Sequence, residues 1–251
     1  MRAVRAVVFD TDGVLLATAD RHAAAWKETF DGCLARWGEH AGQRPTPFDA
    51  FHDYRDLVDG RSRLDGVRAF LAARRIGLPP GTPEDPPGCD TVHAVAARKE
   101  AVFSEMVRTA AVEPFDDVGP ALRRLREMDV RCAAVSASRH ARILLRSARL
   151  TDFFGALVDG RDAEALDLPG KPAPALFLEA AARLGGGPER TAVVEDALVG
   201  VEAGRSGRFH LVVGIDRGRD PRTADALRAH GAHLVLPDLL GLPAAIDGLG
   251  Q

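Results

Sequence analysis

The sequence has little of what marks several large classes of protein. Its 251 residues carry a formal net charge of only −3, which gives no electrostatic basis for binding nucleic acid or an anionic membrane. No apolar run approaches the roughly 20 residues that a membrane-spanning helix needs. The segment MRAVRAVVFD lacks a small-residue cleavage site, and its apolar part is too short for a signal peptide. We therefore expect neither a nucleic-acid partner nor a membrane partner.

Cysteine is scarce, and its positions form no recognisable motif. Cys33, Cys89 and Cys132 are widely spaced, odd in number and match no metal-binding or redox pattern. A reducing cytoplasm is therefore the expected compartment.

Lysine is scarce in proportion to arginine, since only three of the 33 basic residues are lysines: Lys27, Lys99 and Lys171. A chain that otherwise uses arginine can retain lysine where a compact ammonium on a flexible stem is needed. We use this bias only to rank candidates. Lys27 is expected at the surface.

The predicted secondary structure changes along the chain. Residues 6–9 are apolar and predict a short, fully buried strand of a parallel sheet. From about residue 19 to 112 the pattern is helical, including residues 47–58, and a proline-rich loop at 78–90 interrupts it. After residue 113 strands and helices alternate, which is typical of βαβ units.

The predicted fold class is therefore α/β, with a Rossmann-like, doubly wound parallel sheet as its core. This core comprises residues 1–18 and 113–251, and an all-helical cap over residues 19–112 is inserted after the first strand. No GxGxxG motif follows that strand, which excludes a nicotinamide-binding Rossmann enzyme.

Polar side chains stand at the predicted carboxyl ends of the strands, where open parallel sheets bind their ligands. Asp10 and Asp12 follow the first strand, one residue apart. The other loops add hydroxyls, carboxylates and a lysine: Ser136 and Ser138 in VSASRH, Glu195 and Asp196 in TAVVED, and Lys171 in GKPAP.

Such a set of side chains suits phosphoryl transfer. Neighbouring carboxylates repel each other and need a cation, and hard oxygen ligands suit Mg²⁺. Mg²⁺ and Lys171 would hold an anionic group, for which we expect a phosphate, while Ser136 and backbone N–H groups donate to its oxygens. One carboxylate can then attack phosphorus, because metal and lysine cancel the repulsion, and Asp12 can move the proton.

The segments DTDGVL, VSAS, GKPAP and VVEDALVGVEAG resemble the four successive motifs of the haloacid-dehalogenase superfamily of phosphotransferases. Their order and spacing match over nearly the whole chain. The resemblance implies Asp10 as the nucleophile, forming an aspartyl-phosphate, and Asp12 as the general acid and base. An aspartate at position 12 also argues against the dehalogenase branch, which needs no proton shuttle there.

The same resemblance implies the ligands of phosphate and metal. The phosphate-binding residues would be Ser136, its neighbour Ala137, and Lys171. The Mg²⁺ ligands would be Asp10, the backbone carbonyl of Asp12, and Asp196, with Glu195 acting through a metal-bound water. Glu195 and Asp196 can also simply cap the helix that follows them, and the two roles are compatible.

A closer resemblance is to the β-phosphoglucomutase-like subgroup. The stretch LLATADRHAAAWK matches the subgroup after its nucleophile, including Thr18, His22 and Trp26. The resemblance implies that Thr18 lies at the hinge of the cap and that His22 orients the acid/base. Trp26 is as compatible with a place in the core as with a ligand contact.

Cap and core residues near a second phosphate are also implied by this resemblance. GRSRLDG places Arg63 at the position of the cap arginine that binds that phosphate, and AARKE places Lys99 at the position of a cap lysine. Ser138 and Arg139 match core residues near the same phosphate. An alternative for Arg63 and its neighbour Arg61 is a solvated place at a helix start.

Departures from the subgroup affect the expected substrate more than the chemistry. His140 and Glu100 stand where the subgroup has amides, Arg61 is an additional charge, and the 78–90 loop is long.

We expect Mg²⁺-dependent phosphoryl transfer on a small phosphorylated sugar or similar metabolite, of the β-phosphoglucomutase type. The alternatives are a phosphatase, in which water resolves the aspartyl-phosphate, and a non-catalytic sugar-phosphate sensor, which the intact catalytic set disfavours. The oligomeric state stays open, and a monomer is compatible with the sequence.

Overall fold

The computed structural model describes residues 4–41, 45–109 and 111–248. The chain divides into two compact units, one formed by residues 1–17 and 112–251 and the other by residues 18–111. The sequence placed the corresponding boundaries after residues 18 and 112.

The 18–111 unit is helical in its described part. Its α-helices are α1 (Ala19–Ala41), α2 (Arg63–Arg74) and α3 (Val92–Thr109). They enclose an aromatic cluster in which the Phe30 ring stacks on Phe70 at 3.8 Å between centroids and on Trp26 at 5.0 Å. Burial of such large apolar side chains is the main stabilising contribution to a unit of this size.

The other unit contains six described strands in one parallel sheet, ordered β3-β2-β1-β4-β5-β6. Their bounds are β1 (Ala6–Asp10), β2 (Arg131–Val135), β3 (Ala156–Val158), β4 (Thr191–Glu195), β5 (Leu211–Ile215) and β6 (Leu234–Leu236). Strands β1, β4 and β5 are buried along their whole length, as expected where helices cover both faces of a sheet. The prediction of an α/β fold with a parallel sheet is confirmed.

Seven described helices accompany this sheet: α4 (Val118–Glu127), α5 (Ala141–Ser147), α6 (Gly160–Ala165), α7 (Ala175–Arg183), α8 (Leu198–Ser206), α9 (Pro221–Ala229) and α10 (Leu242–Gly248). Helices α6 and α10 have no counterpart in the predicted pattern. On one face, Phe177 of α7 and Val201 of α8 are fully buried against strand residues such as Val8 and Val193.

The register of the sheet determines which loops meet. Asp10 at the end of β1 pairs with Val135 at the end of β2, and Phe9 pairs with Val194 of β4. The residues that follow β2 and β4 therefore lie beside the end of β1. Thr11 reinforces this junction, because its Oγ1 donates to the carbonyl of Val135 at 2.9 Å.

The helix predicted over residues 47–58 is confirmed in its second part: residues 52–58 are helical, with π-type geometry over Tyr54–Val58, and residues 47–51 are not. The side chain of Asp49 accepts the N–H groups of Phe51 and His52 at 2.8 and 2.7 Å. Such hydrogen bonds are typical of the start of a helix, so the helix begins later than the sequence pattern predicts.

The cysteines also differ from the sequence interpretation. Cys33 on α1 and Cys89 before α3 form a disulfide across a separation of 56 residues, with their Cα atoms 5.3 Å apart. Cys132 on β2 is a buried free thiol. No spacing motif marked the pair, because the two sulfurs come together only through the packing of the helical unit.

None of the helices in the described ranges combines the length and the apolarity needed to span a bilayer.

Candidate active site

The first feature of the site is a buried lysine between two carboxylates. Lys171 Nζ contacts Oδ1 of Asp10 and lies 2.5 Å from Oε1 of Glu195. All three residues are buried, and the lysine comes from the loop before α7. Burial by itself lowers the pKa of Lys171, but the charges of Asp10 and Glu195 outweigh it and the pKa ends above its ordinary value.

The pKa of Asp10 is strongly perturbed. Burial raises its pKa well above the ordinary value, Lys171 opposes the increase, and the charges of Glu195 and Asp12 add to it. Lys171 faces two of these carboxylates, those of Asp10 and Glu195. A further cation placed among them would be stabilised by their negative charge.

Asp12 is hydrogen-bonded to Asp10 and to Ser136, which directly follows β2. Its N–H donates to Oδ2 of Asp10 at 2.8 Å, and its Oδ2 accepts a hydrogen bond from Oγ of Ser136 at 2.8 Å. Ser136 is fully buried, and its Oγ also accepts the N–H of Ser138 at 3.0 Å. The nucleophile and acid/base candidates are thus tied to each other and to the end of β2.

A group of three carboxylates at this edge can hold a metal ion. Among the described residues, Asp10, Glu195 and Asp196 each offer an oxygen, and these atoms lie within 4.8 Å of one another. The carboxylate of Asp12 is not part of this group. Gly13, with φ +81°, gives room to the carboxylate of Asp196: a Cβ atom at position 13 would lie 1.9 Å from Oδ2 of Asp196.

Both carboxylate oxygens of Glu195 are engaged. Its Oε2 accepts the N–H groups of Asp196 and Ala197, each at 2.8 Å, in the turn before α8, while its Oε1 faces Lys171. The first turn of α8 itself has no side-chain cap, so Glu195 orders the approach to the helix and also belongs to the acidic group. Gly200 makes this possible, since a Cβ atom there would lie 1.6 Å from Oε1 of Glu195.

The other predicted core residues lie on the loop after β2. The carbonyl of Ala137 is packed against Gly160 at the start of α6, and Oγ of Ser138 accepts the N–H of His140 at 3.2 Å. Arg139 forms a two-point ion pair with Glu164, in which Nε lies 2.8 Å from Oε1. A carboxylate therefore already holds the guanidinium that was expected near the second phosphate.

Three of the predicted cap residues form one group within the 18–111 unit. Nζ of Lys99 donates to Nδ1 of His22 at 2.9 Å, and an ammonium can only donate, so Nδ1 carries no proton. Lys99 is buried, 4.4 Å from the ring centroid of Phe103 and 5.3 Å from that of Trp26. Trp26 itself belongs to the buried aromatic cluster.

The remaining cap candidates lie at or just before the starts of α1 and α2. Nη1 of Arg63, at the start of α2, lies 3.7 Å from Oε2 of Glu100 on α3. Arg61 has a buried Nε without a hydrogen-bond partner. Thr18 is fully buried at the first position of its unit, and its carbonyl accepts the N–H of His22 at 2.9 Å.

A family model for haloacid dehalogenase-like hydrolases matches residues 4–208, which include all four loops of the site. The chain belongs to the haloacid dehalogenase-like hydrolase family.

Similar proteins of this family include a β-phosphoglucomutase of Mycobacterium tuberculosis, 43% identical over 239 residues, which are 95% of this chain and 91% of the relative. A fructose-1-phosphate phosphatase of Escherichia coli, YqaB, is 29% identical over 82% of this chain and 94% of its own. A solved structure of a haloacid dehalogenase family hydrolase from Deinococcus radiodurans, with bound phosphate and sodium, has a TM-score of 0.66 at 29% identity. It covers 100% of this chain and 98% of that one.

Sequence reasoning missed two residues of this haloacid dehalogenase-like site. Glu164 forms an ion pair with Arg139, and Thr11 donates a hydrogen bond that connects the end of β1 to β2. Thr11 lies inside the DTDGVL segment and was passed over because its neighbours carry the charge. No sequence signal marks Glu164, since its relation to Arg139 spans 25 residues and depends on how α6 packs.

Proposed function

We propose that this protein catalyses Mg²⁺-dependent phosphoryl transfer on a sugar phosphate through an aspartyl-phosphate, as a phosphomutase of the β-phosphoglucomutase type. The observation that carries the proposal is the pairing of buried Asp10 with Lys171, beside Glu195 and Asp196. An anionic nucleophile can approach an anionic phosphate only where positive charge compensates both. The 43% identity with a β-phosphoglucomutase over nearly the whole chain supports the choice of reaction.

In the first half-reaction Asp10 attacks phosphorus and the bond from phosphorus to the sugar oxygen breaks. Asp12 gives its proton to that leaving oxygen as general acid. Ser136, which donates to Asp12 in this structure, orients the carboxyl group. Lys171 is positioned to stabilise the negative charge that develops around phosphorus, because it already contacts the nucleophile.

The acidic group fits Mg²⁺ better than a softer metal, since its donors are carboxylate oxygens without cysteine or histidine. Asp10 and Asp196 would hold the ion together with the backbone carbonyl of Asp12, and Glu195 would act through a water. When bound, Mg²⁺ supplies positive charge that polarises the phosphoryl group. The Deinococcus radiodurans structure, which holds a phosphate and a sodium ion, supports the binding of an anion and a cation by a related protein.

In the second half-reaction a hydroxyl group takes the phosphoryl group from Asp10, and Asp12 now accepts the proton of that hydroxyl. For a mutase the acceptor is the free hydroxyl of a sugar monophosphate, which thereby becomes a sugar bisphosphate. The first half-reaction on the other phosphate of that bisphosphate then releases the isomeric monophosphate and forms the aspartyl-phosphate again. The second phosphate of the bisphosphate requires its own cation, for which Arg63 is the candidate. His22, held in one tautomer by Lys99, is the candidate for orienting Asp12.

A phosphatase is the second candidate function. It shares the first half-reaction, and water then resolves the aspartyl-phosphate. One observation favours it: Oε2 of Glu100 lies 3.7 Å from Nη1 of Arg63. The carboxylate partly neutralises the positive charge of Arg63, which a second phosphate would need. The similarity to the phosphatase YqaB is consistent with this alternative.

One assay separates the two functions. The protein is incubated with β-glucose 1-phosphate, Mg²⁺ and a catalytic amount of glucose 1,6-bisphosphate, and glucose 6-phosphate and free phosphate are measured separately. A mutase produces glucose 6-phosphate and little phosphate, whereas a phosphatase produces phosphate in proportion to the substrate lost. If neither product forms, while the protein is folded and Mg²⁺ is present, the sugar-phosphate assignment is wrong.

A further inference from the structure

Arg217, in the loop after β5, makes four hydrogen bonds with the core of the molecule. Its Nε donates to the carbonyl of Gly13 at 3.0 Å, and its Nη2 donates to the carbonyl of Val14 at 2.6 Å. The same guanidinium forms a two-point pair with Asp117, at 2.9 and 3.2 Å. Its carbon lies 3.6 Å from the ring centroid of Phe115, a distance at which a stacked cation is attracted to the aromatic face.

The two carbonyls belong to the loop that follows the nucleophile and carries Asp12. In this loop Gly13 donates to the carbonyl of Leu16 at 2.9 Å, and the N–H groups of Leu15 and Leu16 both donate to Thr11. Because a peptide group is planar and trans, fixing its carbonyl also fixes the direction of its N–H group. Arg217 therefore orients two successive peptide groups, Gly13–Val14 and Val14–Leu15, which begin one residue after Asp12.

The geometry depends on a guanidinium rather than on positive charge alone. Its planar fork presents donors in two directions at once, toward the carbonyls of the loop and toward the carboxylate of Asp117. Asp117 is itself held, since its Oδ2 accepts the N–H of Leu239 at 2.6 Å. A lysine at position 217 would keep the charge but could not reproduce the paired contacts.

We propose that Arg217 is a positioning residue for phosphoryl transfer: it holds the peptide groups of Gly13 and Val14 and thereby keeps Asp12 in the orientation that proton transfer requires. This inference rests on the proposed function of the same site. Arg217 does not itself touch the reacting carboxylates. It acts through the loop, so its loss should affect the step that uses Asp12 more than the attack by Asp10.

The experiment compares two substrates in Arg217→Lys and in the wild-type protein. The sugar phosphate has a leaving group that needs a proton from Asp12, whereas acetyl phosphate has one that needs little help. We expect kcat on β-glucose 1-phosphate to fall at least about tenfold, equivalent to about 1.4 kcal/mol, with KM nearly unchanged. On acetyl phosphate we expect the rate to fall by less than about threefold, since the attack by Asp10 is intact.

Arg183→Lys is the matched control, because Arg183 also binds a backbone carbonyl, that of Leu157 at 2.9 Å, together with the carboxylates of Glu179 and Asp162. It should leave both activities unchanged. Thermal unfolding of both variants establishes that each assay is run well below the midpoint. In Arg217→Ala, added ethylguanidinium should restore part of the sugar-phosphate activity, which a purely structural defect would not permit.

Three results overturn the inference while leaving the proposed function in place. They are wild-type rates on both substrates in Arg217→Lys, equal losses on both substrates, and an effect no larger than that of Arg183→Lys. An inactive wild-type protein, or full activity in Asp10→Asn, would instead reject the proposed function. In the Asp12→Ala background, Arg217→Lys should add little further loss on the sugar phosphate, as expected for two residues that act as one unit.

Discussion

Nζ of Lys171 lies 2.5 Å from Oε1 of Glu195, and both side chains are inaccessible to solvent. The same nitrogen contacts Asp10. One ammonium group thus compensates two buried carboxylates from the ends of two neighbouring strands. The central part of the site is therefore an element of stability as well as of chemistry.

Removing this lysine should destabilise the fold. In Lys171→Met two carboxylates stay buried without their counter-charge, and breaking a buried pair in this way costs about 3–5 kcal/mol of unfolding free energy. Urea unfolding in the absence of divalent metal measures the loss. Lys27→Met is the control, because Lys27 pairs with Asp31 at the surface and should change the free energy by less than about 1 kcal/mol. Equal effects of the two substitutions would contradict the assignment.

Asp10→Asn should abolish turnover on sugar phosphate and acetyl phosphate alike, by at least about a thousandfold, because an amide cannot attack phosphorus. Circular dichroism should show an unchanged fold. Mass spectrometry of wild-type protein quenched during turnover should place the phosphoryl group on the peptide that contains Asp10, and beryllium fluoride should bind at the same residue. Appreciable activity in Asp10→Asn would reject the whole mechanism.

The metal assignment predicts a defect that added Mg²⁺ corrects. Asp196→Ala should raise the Mg²⁺ concentration for half-maximal activity at least about tenfold, as is usual when a metal site loses a supporting group, and calorimetric titration should show the same shift in affinity. Ca²⁺ should inhibit, because its looser coordination misplaces the nucleophile. Asp225→Ala, at an exposed carboxylate paired with Arg228, should behave as wild type. A chelator-treated protein working at full rate would exclude the role of Asp196.

The cap arginine distinguishes the mutase from the phosphatase. Arg63→Ala removes charge-assisted hydrogen bonds worth about 1.5–3 kcal/mol each, so mutase turnover should fall at least about tenfold, with acetyl phosphate hydrolysis much less affected. Glu100→Gln, which frees Arg63 from its neighbouring carboxylate, should lower the concentration of glucose 1,6-bisphosphate needed for activation. Asp12→Ala is the control, as it should stop sugar-phosphate turnover and spare acetyl phosphate. Unchanged sugar-phosphate turnover in Arg63→Ala would favour the phosphatase.

Thiol labelling tests the cysteine arrangement. Burial raises the pKa of Cys132 to about 12, so its thiol stays protonated, and iodoacetamide should label native protein negligibly at any pH from 7 to 10. After unfolding in urea without reductant one site should be labelled, because Cys33 and Cys89 are paired. Unfolding with reductant should expose all three. Two or more labelled sites in the first unfolded sample would show that the pair is not formed.

The strands and the site residues in the loops could be predicted from the sequence, because both depend on residues that are close together in the chain. The buried apolar run at 6–9 and the later alternation of strands and helices predict the parallel sheet, and the structure confirms it. The rule that parallel strands present their carboxyl ends at one edge was enough to bring together Asp10, Ser136 and Glu195. The helix predicted over 47–58 begins later than expected, at residue 52, because hydrogen bonds to Asp49 set its start.

The sequence by itself determined the fold class, the family motifs and the residues at the strand ends. Only the tertiary structure decided which distant residues contact each other. These contacts are Lys171 with Glu195, Arg139 with Glu164, Cys33 with Cys89, and Arg217 with the loop after Asp12. Periodicity and motif spacing depend on residues close in the chain. Pairing across 24 to 204 residues depends on how helices and loops pack, and no short-range pattern records that packing.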